Sequence, residues 1–201
     1  MKFGNDLAIG SATLSFAFLL HSVILLILEP AMGFQEFADF FDLEKIIPAL
    51  NSGAWLVGNL MHVLTGFGLL FLAAGVASLD IQRPGASAAF GFAAAPLFVI
   101  IGMSGFVGQQ LVGLLADTAQ RDAALLGMII GSRTMILYAA IALFGGMILM
   151  LSAQPRRLPL WLRLYGVIAG VAALVFALFP TPIPLILFLW CVAFLLGYKT
   201  R

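Results

Sequence analysis

Charge is what this chain has least of. Only 9% of its 201 residues are Asp, Glu, Lys or Arg, against 63% hydrophobic ones. A soluble globular domain carries about 25% charged residues. That shortage excludes an ordinary soluble fold. With a net charge of +1, nothing points to nucleic acid or to an acidic partner.

Cysteine is nearly absent as well. The single Cys191 cannot form a disulfide within the chain, and there is no CxxC or Cys/His zinc spacing. Lying in the last apolar segment, it reads as a small packing residue. Catalytic motifs are also missing: no HExxH, nucleophile elbow or P-loop occurs. No Asp or Glu sits firmly inside an apolar segment, where a proton relay or ion-coupled carrier would place one. No catalytic residue is assigned.

What the chain does have is apolar length. Six stretches, at about 7–29, 54–78, 88–114, 123–151, 160–178 and 183–198, suit the roughly 20 residues needed to cross about 30 Å of hydrocarbon. The expectation is all-α: residues 1–201 as one polytopic membrane domain of six transmembrane helices. The first stretch follows Lys2 and could pass for a signal peptide. It runs to Leu28, too long for that role, and no A-x-A-like cleavage site follows. Pro96 is expected to kink the third span. Prolines at 180, 182 and 184 keep the fifth and sixth from being one helix.

Basic residues set the expected orientation. Lys2, Arg83, Arg156, Arg157, Arg163, Lys199 and Arg201 fall on one side, and only Lys45 and Arg121 on the other. The second side holds Glu29, Glu36, Asp39, Asp42, Glu44, Asp117 and Asp122. The positive-inside rule then puts both termini in the cytoplasm. Trp55, Trp161, Tyr165 and Tyr198 lie near span ends, where interfacial aromatics belong.

The one sizeable loop, Pro30–Gly53, faces outward in this topology. Phe34, Phe37, Phe40, Phe41, Leu43, Ile46, Ile47 and Leu50 alternate there with acidic and polar residues. That spacing predicts a short interfacial helix over about 34–47, either a lid on the bundle or a partner's docking surface. Gly127-x-x-x-Gly131, Gly166-x-x-x-Gly170 and the trio Gly102, Gly105 and Gly108 predict close helix contacts, within a bundle or between subunits of a homo-oligomer.

A polar layer runs through this apolar frame. His21 stands eight residues before Glu29, and His62 eight after Ala54, so both lie roughly 12 Å below the outer ends of their helices. Arg133 sits about ten residues into the fourth span, at roughly 15 Å. Asn59, Gln109 and Gln110 approach the same depth. Three readings are open. His21 and His62 could be the axial iron ligands of a b-type haem, with Gly58 and Gly66 making room and Arg133 pairing with a propionate. The layer could instead receive a quinone, lipid or other amphiphile. Or it could be structural glue, bonding across helices. Arg133 has no carboxylate firmly within any span and needs an anion, which Glu29, a bound anionic group or a partner subunit could supply.

The stretch Gly145–Gly170, with Arg156-Arg157-Leu158-Pro159-Leu160-Trp161-Leu162 and Gly166, resembles a family of uncharacterised six-helix bacterial membrane proteins. These carry a basic-Pro-x-Trp-Leu…Gly signature between late helices. The resemblance implies six helices and a bacterial inner membrane. The family has no assigned activity or cofactor, and its pattern does not include the two histidines. The expectation from the whole chain is a non-enzymatic accessory or interaction subunit of a larger membrane assembly. Its alternatives are a haem-binding electron-transfer protein and a small carrier or binder of an amphiphile.

Overall fold

The computed structural model describes residues 3–31, 33, 43–50, 52–79, 84–115, 123–154, 158–175 and 183–199. Among these the regular structure is entirely helical. The elements are α1 (Phe3–Val23), a π-helical turn (Ile24–Leu28), α2 (Glu29–Ala31), α3 (Leu43–Leu50), α4 (Gly53–Ala77), α5 (Pro84–Leu115), α6 (Ala123–Ser152), α7 (Leu160–Leu174) and α8 (Ile183–Lys199). Four segments, Asn5–Ala31, Gly53–Ala77, Gly85–Gln110 and Gly131–Ser152, are long and apolar enough to cross a membrane. The helices α7 and α8 are shorter, with 15 and 17 residues, or about 22 and 26 Å of rise.

Each long helix packs on its neighbours in the chain, and α8 returns to α1, so the six form a closed ring. Helix α3 lies against α4 and α5 at one end. Outward faces are apolar: Phe16, Ile27, Leu60, Phe67, Met103 and Val107 are all exposed. Most of the buried polar side chains are Ser11, Ser15, Ser22, Asn59, His62, Thr65, Ser87 and Ser152, and they point inward. Such apolar outer faces suit lipid, where an exposed face has nothing to gain from charge.

An aromatic chain fills the centre. The Phe18 and Phe144 rings stack at 5.8 Å, Phe144 meets Trp190 edge to face at 6.1 Å, and Trp190 stacks on Phe194 at 5.1 Å. These residues come from α1, α6 and α8, so the stack ties non-adjacent helices across the ring. Leu14, Leu69, Leu72, Met147 and Leu187 complete the packing, fully buried. Between α1 and α4 the fit is closer still. A Cβ on Gly10 would strike the Leu72 backbone, and one on Gly75 would strike Leu7. Glycine is what permits that backbone approach in lipid.

Four buried hydroxyls are satisfied within their own helices. Ser15 donates to the Ser11 carbonyl at 2.7 Å, Ser22 to Phe18 at 2.7 Å, Thr65 to Met61 at 2.8 Å and Ser152 to Ile148 at 2.7 Å. Back-bonding of this kind removes the cost of a hydroxyl in an apolar setting without needing a partner helix.

Several expectations meet the structure directly. Helix α5 runs unbroken through Pro96. The first apolar stretch is interrupted by the π turn, where the Glu29 amide donates to the Ile24 carbonyl. The interfacial helix begins at Leu43 and continues to Leu50, past its expected end and through Pro48. Residues 34–42 of that expectation lie outside the described residues, as do Lys2, Arg83, Arg121, Arg156, Arg157 and Arg201.

Candidate functional site

The site grows from the start of α4. Ser52 caps this helix, its hydroxyl accepting from the Trp55 amide at 3.2 Å, which satisfies one orphan donor and fixes where the helix begins. Trp55, Asn59 and His62 then follow at spacings of four and three residues. At 3.6 residues per turn these share one face. Rotation thus joins depth in bringing them together.

Arg133 reaches this face from α6. Its guanidinium donates to Asn59 Oδ1 at 2.5 Å, and its Cζ lies 4.8 Å from the centre of the Trp55 ring. Neither partner carries a negative charge. A ring face contributes about 0.5–2 kcal/mol to holding a cation, and an Arg inside an apolar span carries an insertion cost that a ring alone does not remove. The layer therefore holds a cation whose described contacts do not neutralise it.

His21 joins from α1. Its ring meets that of His62 edge to face, with centres 4.4 Å apart, while Phe98 of α5 stacks beside His62 at 6.3 Å. His62 Nδ1 lies 2.8 Å from the Gly58 carbonyl. The π turn of the first stretch follows one turn after His21, and Ile24 approaches Gly58. Such π turns recur at functional sites because they displace the helix that follows them.

Asn59 is completely buried, and it rests on Gly105 of α5, where a Cβ would overlap its carboxamide. Yet the layer is not internally satisfied. Trp55 Nε1, Asn59 Nδ2 and His62 Nε2 are buried and have no hydrogen-bond partner. The other such atoms, on Ser11, Ser87 and Trp190, are spread over three helices. More than nine in ten buried polar groups in native structures are paired, so three unpaired nitrogens on one face of α4 form a coherent site.

Of the residues expected in the layer, His21, His62, Asn59 and Arg133 converge. Gln109 instead donates to the Leu50 carbonyl at 2.5 Å, tying α5 to α3, and Gln110 is exposed. Trp55 joins the site although its position near a span end reads as an interfacial anchor; its four-residue spacing to Asn59 was the available signal. Gly58 stays open apart from Ile24, whereas Gly66 is closed by Val99 and the Ala95 carbonyl of α5.

These residues do not fit a macrocycle between the histidines. Metal–imidazole bonds of about 2 Å on both sides of an iron would hold the two ring centres about 6 Å apart. Here the rings touch and fill the space between them, and Gly66 lends its room to α5. No group of three or more His, Cys, Asp or Glu side chains that could hold a metal ion occurs among the described residues. Comparison with protein-family models, curated proteins and solved structures finds no match to this chain, which leaves the resemblance over residues 145–170 neither supported nor opposed.

Proposed function

We propose that this is a six-span inner-membrane protein, with both termini cytoplasmic, that binds an amphiphile by its oxygen-bearing head. The tail lies among the apolar helices, and the head enters the layer formed by Trp55, Asn59, His62 and Arg133. One observation carries the reading: three buried nitrogens on a single face of α4 lack partners beside a guanidinium. Leaving a buried polar atom unpaired costs about 1–3 kcal/mol, and a ligand's oxygens would recover that cost. The charge of Arg133 draws the same kind of group.

The test is extraction. Protein purified through lipid nanodiscs would be extracted and its bound amphiphiles identified by mass spectrometry. The wild type is expected to retain one class well above its abundance in the surrounding lipid, and Arg133→Gln to lose it. An extract matching bulk lipid in both proteins overturns the proposal.

The accessory-subunit reading has one observation of its own. A Cβ on Gly131 would meet nothing within 4 Å, and Met128 and Met135, on the same face of α6, are 72% and 70% exposed. That small-residue face is left uncovered by the described residues of this chain. If a membrane partner packs there, Gly131→Leu will release it on a native gel. An unchanged band refutes this second reading.

A further inference from the structure

We infer that the head of the bound amphiphile carries a hydroxyl as well as an acceptor oxygen, a requirement set by the fixed proton on His62. This rests on the amphiphile reading above and narrows it. A carbonyl oxygen can only accept, so His62 Nδ1, 2.8 Å from the Gly58 carbonyl, must carry the hydrogen. In the neutral imidazole the other nitrogen, Nε2, then presents a lone pair. That atom is buried and unpartnered, on a side chain only 7% exposed.

The neighbouring atoms are fixed as well. Asn59 Oδ1 accepts from Arg133, so its unpartnered Nδ2 is a donor. Trp55 Nε1 is a donor by chemistry. Read along α4 from Trp55 to His62, the open positions are therefore donor, donor and acceptor. Arg133 adds further donors beside the first two.

A head made only of acceptors, such as a quinone or an ester, satisfies the first two positions and sets an oxygen lone pair against His62 Nε2. A head that also brings an O–H offers each of the three the type of partner it lacks. Asn59 and His62 are three residues apart, about 4.5 Å along the axis, which a single small head can bridge. His62 lies nine residues into α4, about 14 Å from its end. At that depth a small head on an apolar tail fits better than a large zwitterionic one. Hydroquinones and long-chain 1,2-diols share this chemistry.

Two matched pairs test it on the full chain in nanodiscs, with affinity read by native mass spectrometry. The pairs are decylhydroquinone with its quinone, and dodecane-1,2-diol with its dimethyl ether. The hydroxyl-bearing member of a pair is expected to bind about tenfold tighter, the effect of one buried acceptor gaining its bond. His62→Asn, which keeps a donor for Gly58 and removes Nε2, erases the preference. His62→Gln, which returns an acceptor near the Nε2 position, restores it. Trp55→Phe weakens both members of a pair equally, a control that leaves His62 intact.

A preference confined to the quinone pair identifies a quinol as the ligand, and one confined to the diol pair identifies a diol. Equal affinity within both pairs overturns the hydroxyl requirement while the amphiphile reading stands. Failure of all four probes to bind overturns both.

Discussion

The seat of Asn59 on α5 gives a sharp test, because two glycines one turn apart on the same helix should respond with opposite signs. A Cβ at Gly105 would overlap the Asn59 carboxamide, whereas at Gly108 it would meet nothing within 4 Å. Gly105→Ala forces Asn59 away and breaks its bond from Arg133. Interhelical bonds in membranes contribute about 0.6–2 kcal/mol, and overpacking a filled site costs about 1–3 kcal/mol. Alanine returns about 1 kcal/mol through helix propensity. The net expected loss is about 1–4 kcal/mol. At Gly108 only the propensity gain remains, so that variant should be more stable by up to about 1 kcal/mol. Unfolding by SDS in mixed micelles, followed by circular dichroism, measures both. A double variant, Gly105→Ala with Asn59→Ala, should be no less stable than Asn59→Ala alone, since the clash has gone. Equal behaviour of the two glycine variants, or additive losses in the double, would refute the packing on which the site depends.

Other expectations follow from the same geometry. Arg133→Met combined with Asn59→Leu should leave stability within about 1 kcal/mol of the wild type, because apolar replacement of a buried polar pair is often neutral; a collapse of the fold would instead mark the layer as structural glue. Gly10→Val, pressed against the Leu72 backbone, should part α1 from α4 and cost about 3 kcal/mol, read by the same SDS titration. For topology, Cys191 is fully buried and should resist a membrane-impermeant maleimide. A cysteine replacing Glu36 should react from outside intact cells, and one replacing Lys2 only after lysis; the reverse pattern would invert the proposed orientation.

Legibility differed sharply between levels. The helical class and the four long apolar helices follow from hydrophobic length alone, because lipid demands continuous apolar runs and little else competes with that demand. Depth in the layer was also readable, since a helix advances a fixed rise per residue and His21, His62 and Arg133 needed only counting. Rotation was harder. Helices apolar on every side carry almost no periodic signal, so nothing in the sequence told Gln109, which turns to α3, from Asn59, which turns inward. The π turn left no mark in Ile24–Leu28, whose residues suit an α-helix equally well. Gly131 and Gly166 look alike on paper. One faces open space, and the other receives Ser152 and Trp190, a difference settled only by which neighbour arrives.

The closed ring also has a meaning for biogenesis. A helix inserted early must wait in the bilayer for its last neighbour, and here α1 waits for α8, the last of these six to be made. Until then Phe18 and the α8-facing side of α1 stand in lipid, which apolar residues tolerate and unpaired polar ones do not. Back-bonded Ser15 and Ser22 let α1 wait with those two hydroxyls already paired. His21 and Asn59 have no such self-sufficiency, and Arg133 enters only with α6. With helices entering in chain order, the first two long ones would hold the polar layer half-built until α6 brings Arg133.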